Sequence, residues 1–110
     1  MKLESQTIEG VLVFRPVGRL DSTSSPELER LLIESLDAGT KRLLFDFSSL
    51  DYISSAGLRV VLLAGKRLRP VQGKMALVGM RDVVQEVFEM SGFLSLFAVA
   101  NTVEDGVTKV

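Results

Sequence analysis

Two adjacent hydroxyls, Ser54 and Ser55, stand between a strand-like run and a helix-like run in the segment DYISSAGLRVVL, residues 51–62. A serine so placed can cap a helix, act as a nucleophile or accept a phosphate. A nucleophile needs a base to take its proton. The chain has no histidine, which removes the commonest general base and the commonest metal ligand. ISSAG does not fit the G-x-S-x-G nucleophile elbow. Lys66 falls about three turns further along the same predicted helix, out of reach. A serine hydrolase is therefore disfavoured. A helix cap accounts for one hydroxyl and leaves the other unexplained. Backbone N–H groups at a helix N-terminus favour an anion, so the position also suits a phosphate, bound or covalent.

Other chemistries find less support. AGKRL contains a Gly-Lys pair but lacks G-x-x-x-x-G-K-[ST] and lies inside a predicted helix. Glu9, Asp21, Asp46 and Asp51 have neither EF-hand spacing nor another metal signature, and read as solvated or capping carboxylates. Cysteine is absent, so there is no disulfide or thiol chemistry, in keeping with a cytoplasmic protein. Thirteen basic and fourteen acidic residues leave a net charge of −1. That charge exerts no long-range pull on nucleic acid or an anionic membrane. Arg67 and Arg69 do not form a basic patch interleaved with aromatics. No enzyme activity, cofactor or metal is expected, and no direct nucleic-acid contact.

The elements that must carry the serines read as an α/β domain. The 110 residues fit a single domain, 1–110. The first ten residues hold no long apolar run, so no secretory signal is expected. No stretch reaches the roughly 20 apolar residues needed to span a bilayer, so membrane insertion is not expected either. Gly10 is placed to turn a hairpin between LESQTI and VLVFRPV. Val11, Leu12, Val13 and Phe14 cover both faces of the second strand. Pro16 removes a ladder donor and is expected near that strand's end or at an edge. Ser25 before Pro26 reads as an N-cap, and Ser24 with Glu27 offers a competing start one residue earlier. Leu28, Leu31, Leu32 and Leu36 follow on one helical face.

KRLLFDF, residues 41–47, is nearly continuously apolar, as a central strand should be. A second helix runs from Ala56 to Leu68, with Leu58, Val61, Leu62 and Gly65 on one face, and ends before Pro70. KMALVGM reads as a strand and RDVVQEVFEMSG as a third helix stopped by Gly92. LFAVA reads as a short last strand. Thr102 is a candidate cap for a short final helix, although Gly106 disfavours it. The order β-β-α-β-α-β-α-β-α contains a βαβ unit and so implies parallel neighbours and a right-handed crossover. With the hairpin in front, the sheet is mixed. In this reading the serines follow the strand at 41–47, outside a strand's carboxyl end, where α/β sheets tend to place their sites.

Three segments resemble a known family: GRLDSTSSPELERLL, LLFDFSSLDYISSAGLRVVLLAGKRLRPVQGKMALVGM and VFEMSGF. They are similar to the STAS-domain anti-sigma-factor antagonists of bacteria, over nearly the whole chain. The resemblance implies a mixed sheet of about four or five strands with helices packed against it. It implies a partner switch, in which the antagonist binds an anti-sigma serine/threonine kinase and so releases a sigma factor for transcription. Phosphorylation by that kinase ends the binding, and a phosphatase resets it. Matched position by position, the motif glycine falls on Gly57 and the phosphoacceptor on Ser55. Ser54 stands where aspartate is common, a departure that opens it as a second acceptor; Ser55 is favoured over it because a phosphate is best accommodated beside the helix's free N–H groups. Asp21 falls on the family's aspartate after the second strand. Thr23 and Arg59 are expected from their positions to border the partner surface, and Asp21, Ser54 and Gly57 are expected to belong to it as well. The alternatives are a STAS docking subunit of a membrane lipid-transport ATPase assembly and an unphosphorylated interaction module. A monomer is expected, since no heptad seam stands out.

Overall fold

A computed structural model describes all 110 residues. Strands β1 (Lys2–Ile8) and β2 (Val11–Leu20) form an antiparallel hairpin closed by Glu9 and Gly10. Both turn residues have positive φ, 51° and 80°. A two-residue turn of this hand matches the right-handed twist of the strands it joins. Helix α1 (Ser25–Asp37), strands β3 (Arg42–Asp46) and β4 (Leu50–Ile53), and helix α2 (Ser55–Leu68) follow. Then come β5 (Lys74–Val78), α3 (Asp82–Met90), β6 (Ala98–Ala100) and α4 (Val103–Val107). The sheet order is β1-β2-β3-β5-β6, with β4 paired to the far end of β2. Only the β1–β2 pair is antiparallel. The mixed sheet with packed helices is the architecture expected above.

Alternate residues of a strand face opposite sides of a sheet, and here both sides are covered. Leu43, Phe45 and Leu77 join Leu28 and Leu32 of α1, Leu58 and Val61 of α2, and Val84 and Phe88 of α3 in the larger core. Leu44 and Val78 face the other way, into a smaller cluster with Val11, Val13, Ala76 and Val107 of α4. This double burial explains the unbroken apolar run of β3. It also explains Gly106. A Cβ there would lie 2.5 Å from Val78 Cγ1, so the residue that weakens α4 locally is what lets it lie on the sheet. Thr102 caps α4 by accepting the Asp105 N–H at 3.2 Å.

Four details depart from the sequence reading. A strand, β4, stands between the strand at 41–47 and the serines, so Ser54 and Ser55 follow β4 instead of β3. Pro16 is neither terminal nor at an edge. It is buried in the middle of β2, between the residues paired with β3 (Leu12–Phe14) and those paired with β4 (Gly18–Leu20). That gap is where a missing donor disrupts neither parallel ladder. The cap position of α1 is held by Ser24, and no side-chain cap bond forms. The Ser24 hydroxyl instead lies 2.9 Å from the Arg19 carbonyl and accepts the Asp21 N–H at 2.9 Å. On α2 the buried face is Gly57, Leu58, Val60, Val61, Ala64 and Leu68. Leu62 and Gly65, expected on that face, are only half-buried.

Candidate functional site

Two parallel strands deliver two loops to one end of the sheet. Leu20, the last residue of β2, pairs with Ile53, the last residue of β4. The Leu20 carbonyl then accepts the Ser54 N–H at 2.9 Å. The loop carrying Asp21 and Thr23 therefore leaves beside the turn carrying Ser54 and Ser55. This places four of the sequence-selected residues at neighbouring strand ends. Gly57 sets how closely α2 approaches them. A Cβ on Gly57 would lie 2.8 Å from Ile53 Cγ1, 2.9 Å from Leu20 Cγ and 3.0 Å from the Leu20 carbonyl oxygen. Real Cβ atoms do not sit that close to three neighbours, so the first turn of α2 rests on the ends of β2 and β4 only with glycine here. Gly57 is buried, so its part at this site is to seat the helix.

The geometry separates the two serines. Ser54 is half-buried and holds the N-cap position of α2 in an extended conformation, φ −93° and ψ 176°. Its Oγ accepts the Gly57 N–H at 3.4 Å, and its carbonyl accepts the Leu58 N–H at 2.9 Å. Ser55 is the first residue of α2 and is exposed, and its hydroxyl makes no hydrogen bond within the chain. The N–H groups of a first helical turn lack intrahelical partners and favour negative charge. Arg59, one turn further along, is also exposed and forms no ion pair with any carboxylate of the chain.

The neighbouring loop is built around Asp21. Its Oδ1 accepts the Thr23 hydroxyl at 2.7 Å, the Thr23 N–H at 3.0 Å and the Ser24 N–H at 3.2 Å. These donors, the Thr23 hydroxyl foremost, hold the Asp21 carboxyl down at about 2, below its ordinary 3.8. Hydrogen bonds to the charged form have that effect. Thr23 is thus engaged as a brace for the loop. Two features of this end were not read from the sequence. The Arg19 guanidinium lies 4.2 Å from the centroid of the Tyr52 ring and 4.0 Å from Asp21 Oδ2. Arg81 pairs with Asp51 and donates to the Ser48 carbonyl at 2.9 Å, tying the start of α3 to β4. The Arg19–Tyr52 contact depends on the β2–β4 register, which becomes visible only once β4 is placed.

The arrangement offers a free hydroxyl on a fixed helix end, flanked by a braced anionic loop. No acid or base is hydrogen-bonded to Ser55, so the site presents a hydroxyl without activating it. No helix is long and apolar enough to cross a membrane. The STAS-domain family model matches residues 2–106. The Bordetella bronchiseptica protein BtrV, named as a candidate anti-sigma factor antagonist, is 49% identical over 104 residues, covering 94% of this chain and 90% of its own. The fold is also that of the anti-sigma factor antagonist SpoIIAA in its unphosphorylated form, with a TM-score of 0.86 at 21% identity over 96% of this chain and 93% of that one. The phosphorylated Bacillus SpoIIAA superposes with a TM-score of 0.79 at 20% identity, over 97% of each chain. With nearly its whole length matched and a relative at nearly half identity, the chain belongs to the STAS-domain anti-sigma-factor antagonist family, whose role is regulatory.

Proposed function

We propose that the protein is a cytoplasmic, monomeric partner switch gated by phosphate on Ser55. In its unmodified form it binds an anti-sigma serine/threonine kinase, and a sigma factor is released. The kinase then esterifies Ser55, the complex dissociates, and a phosphatase restores the hydroxyl. The observation that carries this reading is the division of labour between the serines: Ser54 is occupied as the cap, while Ser55 is exposed and unengaged. A phosphate on Ser55 would meet the unpaired N–H groups of the first turn and add about −1.5 to −2 charge. Asp21, Thr23, Ser54 and Arg59 form the partner surface around it, and Gly57 holds that surface in register.

The test is a binding experiment on three proteins with each anti-sigma kinase of the host. Wild type and Ser55→Ala should bind one of them, and Ser55→Asp should not. Peptide mapping after incubation with ATP should find phosphate on Ser55. A complex that survives Ser55→Asp, or co-purification with a transport ATPase in place of a kinase, would defeat the proposal.

A further inference from the structure

Six large apolar side chains are exposed on the chain. The most exposed, Met90 at 81%, lies on α3, and so does Val83 at 56%. The helix turns Val84 and Phe88 into the larger core. Val83, Val87 and Met90 recur at i, i+4 and i+7, which at 3.6 residues per turn makes one row about 60° wide beside the buried face. Val87 is half-buried and the other two are exposed. Asp82, Glu86 and Glu89 repeat the same spacing one residue earlier, and all three are exposed. A carboxylate row therefore runs parallel to the apolar row, on its solvent side. Apolar residues scattered singly on a surface need no explanation, but a row of them along a helix does.

The carboxylate row is not neutralised within the chain. None of the ion pairs includes Asp82, Glu86 or Glu89. Helix α3 carries no lysine or arginine of its own. Arg81, the cation next to it in sequence, is committed to Asp51 and to the Ser48 carbonyl. Glu89 accepts the Gln85 amide at 3.1 Å, a neutral donor that leaves the charge in place. The helix is also fixed at both ends, by Arg81 at its start and by the Ser91 hydroxyl, which donates to the Phe88 carbonyl at 3.0 Å. Both rows are thus presented ready-formed, which lowers the cost of docking.

We propose that α3 is a docking face for a basic amphipathic helix of a partner protein. The partner packs its own apolar row on Val83, Val87 and Met90 and sets lysine or arginine against Asp82, Glu86 and Glu89. An apolar seam edged by opposite charges is how helices pair. The nine residues of α3 run about 13 Å, so roughly two to three turns of the partner fill the contact. The carboxylates select this occupant over others. Helices that lie on membranes carry cations on their polar face, and nucleic acid is bound through cations. A second copy docked α3 against α3 would oppose like charges. Neither row includes a residue of α2, so the docking does not rest on the phosphorylation of Ser55.

The probe is a synthetic three-heptad peptide with leucine at a and d and lysine at e and g, whose like charges keep it from pairing with itself. A peptide of the same composition in an order with no helical face is the control. Each is titrated into the 15N-labelled full chain. Saturable shifts in the amides of residues 82–90 are expected with the ordered peptide and not with the control. Val83→Ser and Met90→Ser, both at exposed positions, should each weaken binding at least tenfold with the spectrum otherwise unchanged. Glu86→Lys combined with Glu89→Lys should lose the lysine peptide and gain its counterpart with glutamate at e and g, a reversal that unfolding cannot produce. No saturable shift at millimolar peptide would overturn the proposal. So would equal binding of the control, affinity unchanged in Met90→Ser, or shifts centred on residues 54–59. Sedimentation showing a dimer that Met90→Ser dissolves would give the apolar row to a second copy and overturn the partner helix.

Discussion

Replacing each serine in turn by alanine separates the cap from the acceptor, because the structure gives the two hydroxyls opposite roles. Ser54→Ala removes the bond to the Gly57 N–H. An N-cap serine replaced by alanine typically costs about 0.5–2 kcal/mol. The bond here is 3.4 Å long, beyond the usual N–H···O range of about 2.7–3.2 Å, so the lower end applies, about 0.5–1 kcal/mol. The Ser54 N–H bond to the Leu20 carbonyl survives the change. For a domain of this size the loss corresponds to a melting-temperature drop of roughly 2–4 °C. Ser55→Ala removes no bond and places a better helix former at the first helical position, so its effect should stay within about 0.5 kcal/mol of zero. Urea unfolding followed by far-UV circular dichroism measures both. The same proteins, incubated with the cognate kinase and ATP, should show the reverse ranking. Ser54→Ala still takes up phosphate, and Ser55→Ala does not. The reasoning fails if Ser55→Ala is as destabilised as Ser54→Ala. It also fails if Ser55→Ala is phosphorylated on Ser54 to the wild-type extent.

Two glycines of α2 should respond to alanine with opposite signs. Gly57→Ala drives a methyl group to within 3.0 Å of Ile53 and Leu20 and should cost about 1–3 kcal/mol as overpacking. Gly65→Ala meets only ordinary contacts, 3.5 Å to Phe97 and 3.7 Å to Met75, and should gain about 0.5–1 kcal/mol of helix propensity. Urea midpoints shifting the same way for both would refute the packing argument. The Asp21 carboxyl titrates near 2 in the folded chain against an ordinary 3.8, so on acidification the unfolded chain takes up this proton first. The stability it contributes is complete above about pH 5 and is lost between about pH 4 and 2. Asp21→Asn lacks that contribution. The wild-type advantage over Asp21→Asn should therefore be constant near neutrality and shrink through that window, and a gap that stays constant to about pH 2.5 would contradict the account of the loop.

The helices were legible because their apolar residues recur at helical spacing and because each buries that face against the same sheet. The hairpin was legible in Gly10. Strand β4 was not. It has four residues, LDYI, follows β3 after a three-residue turn, and pairs with the far half of β2, some thirty positions away. Local pattern carries little about a strand so short. Pro16 misled for a related reason. The rule that proline avoids central strands assumes a partner along the whole strand, and β2 exchanges β3 for β4 just where Pro16 lies. The pairing of Arg19 with Tyr52 was hidden with β4. The residue pattern alone narrowed the site to Ser54 and Ser55; the preference for Ser55 as acceptor came from the family resemblance, and which hydroxyl caps the helix was not legible. That assignment turns on a single residue of helix boundary, which propensity does not resolve.

The same boundary bears on how a phosphate would act. The start of α2 is held by three contacts that do not involve the Ser55 side chain: the cap from Ser54, the Ser54 N–H on the Leu20 carbonyl, and Gly57 seated on Leu20 and Ile53. A phosphate ester on Ser55 would break none of them. Its charge would lie at the favourable end of the helix dipole, so the modified helix end has no reason to unravel. What changes is the surface offered to a partner that fits a neutral hydroxyl beside the Asp21 loop. A complementary surface that buries such a hydroxyl would have to accommodate a dianion, and the cost of desolvating that charge without a matching cation falls on the complex. The proposed switch therefore acts on association while the antagonist keeps its fold. Its signature is a phosphorylated protein whose unfolding free energy is at or above the unmodified value while its affinity for the kinase is lost.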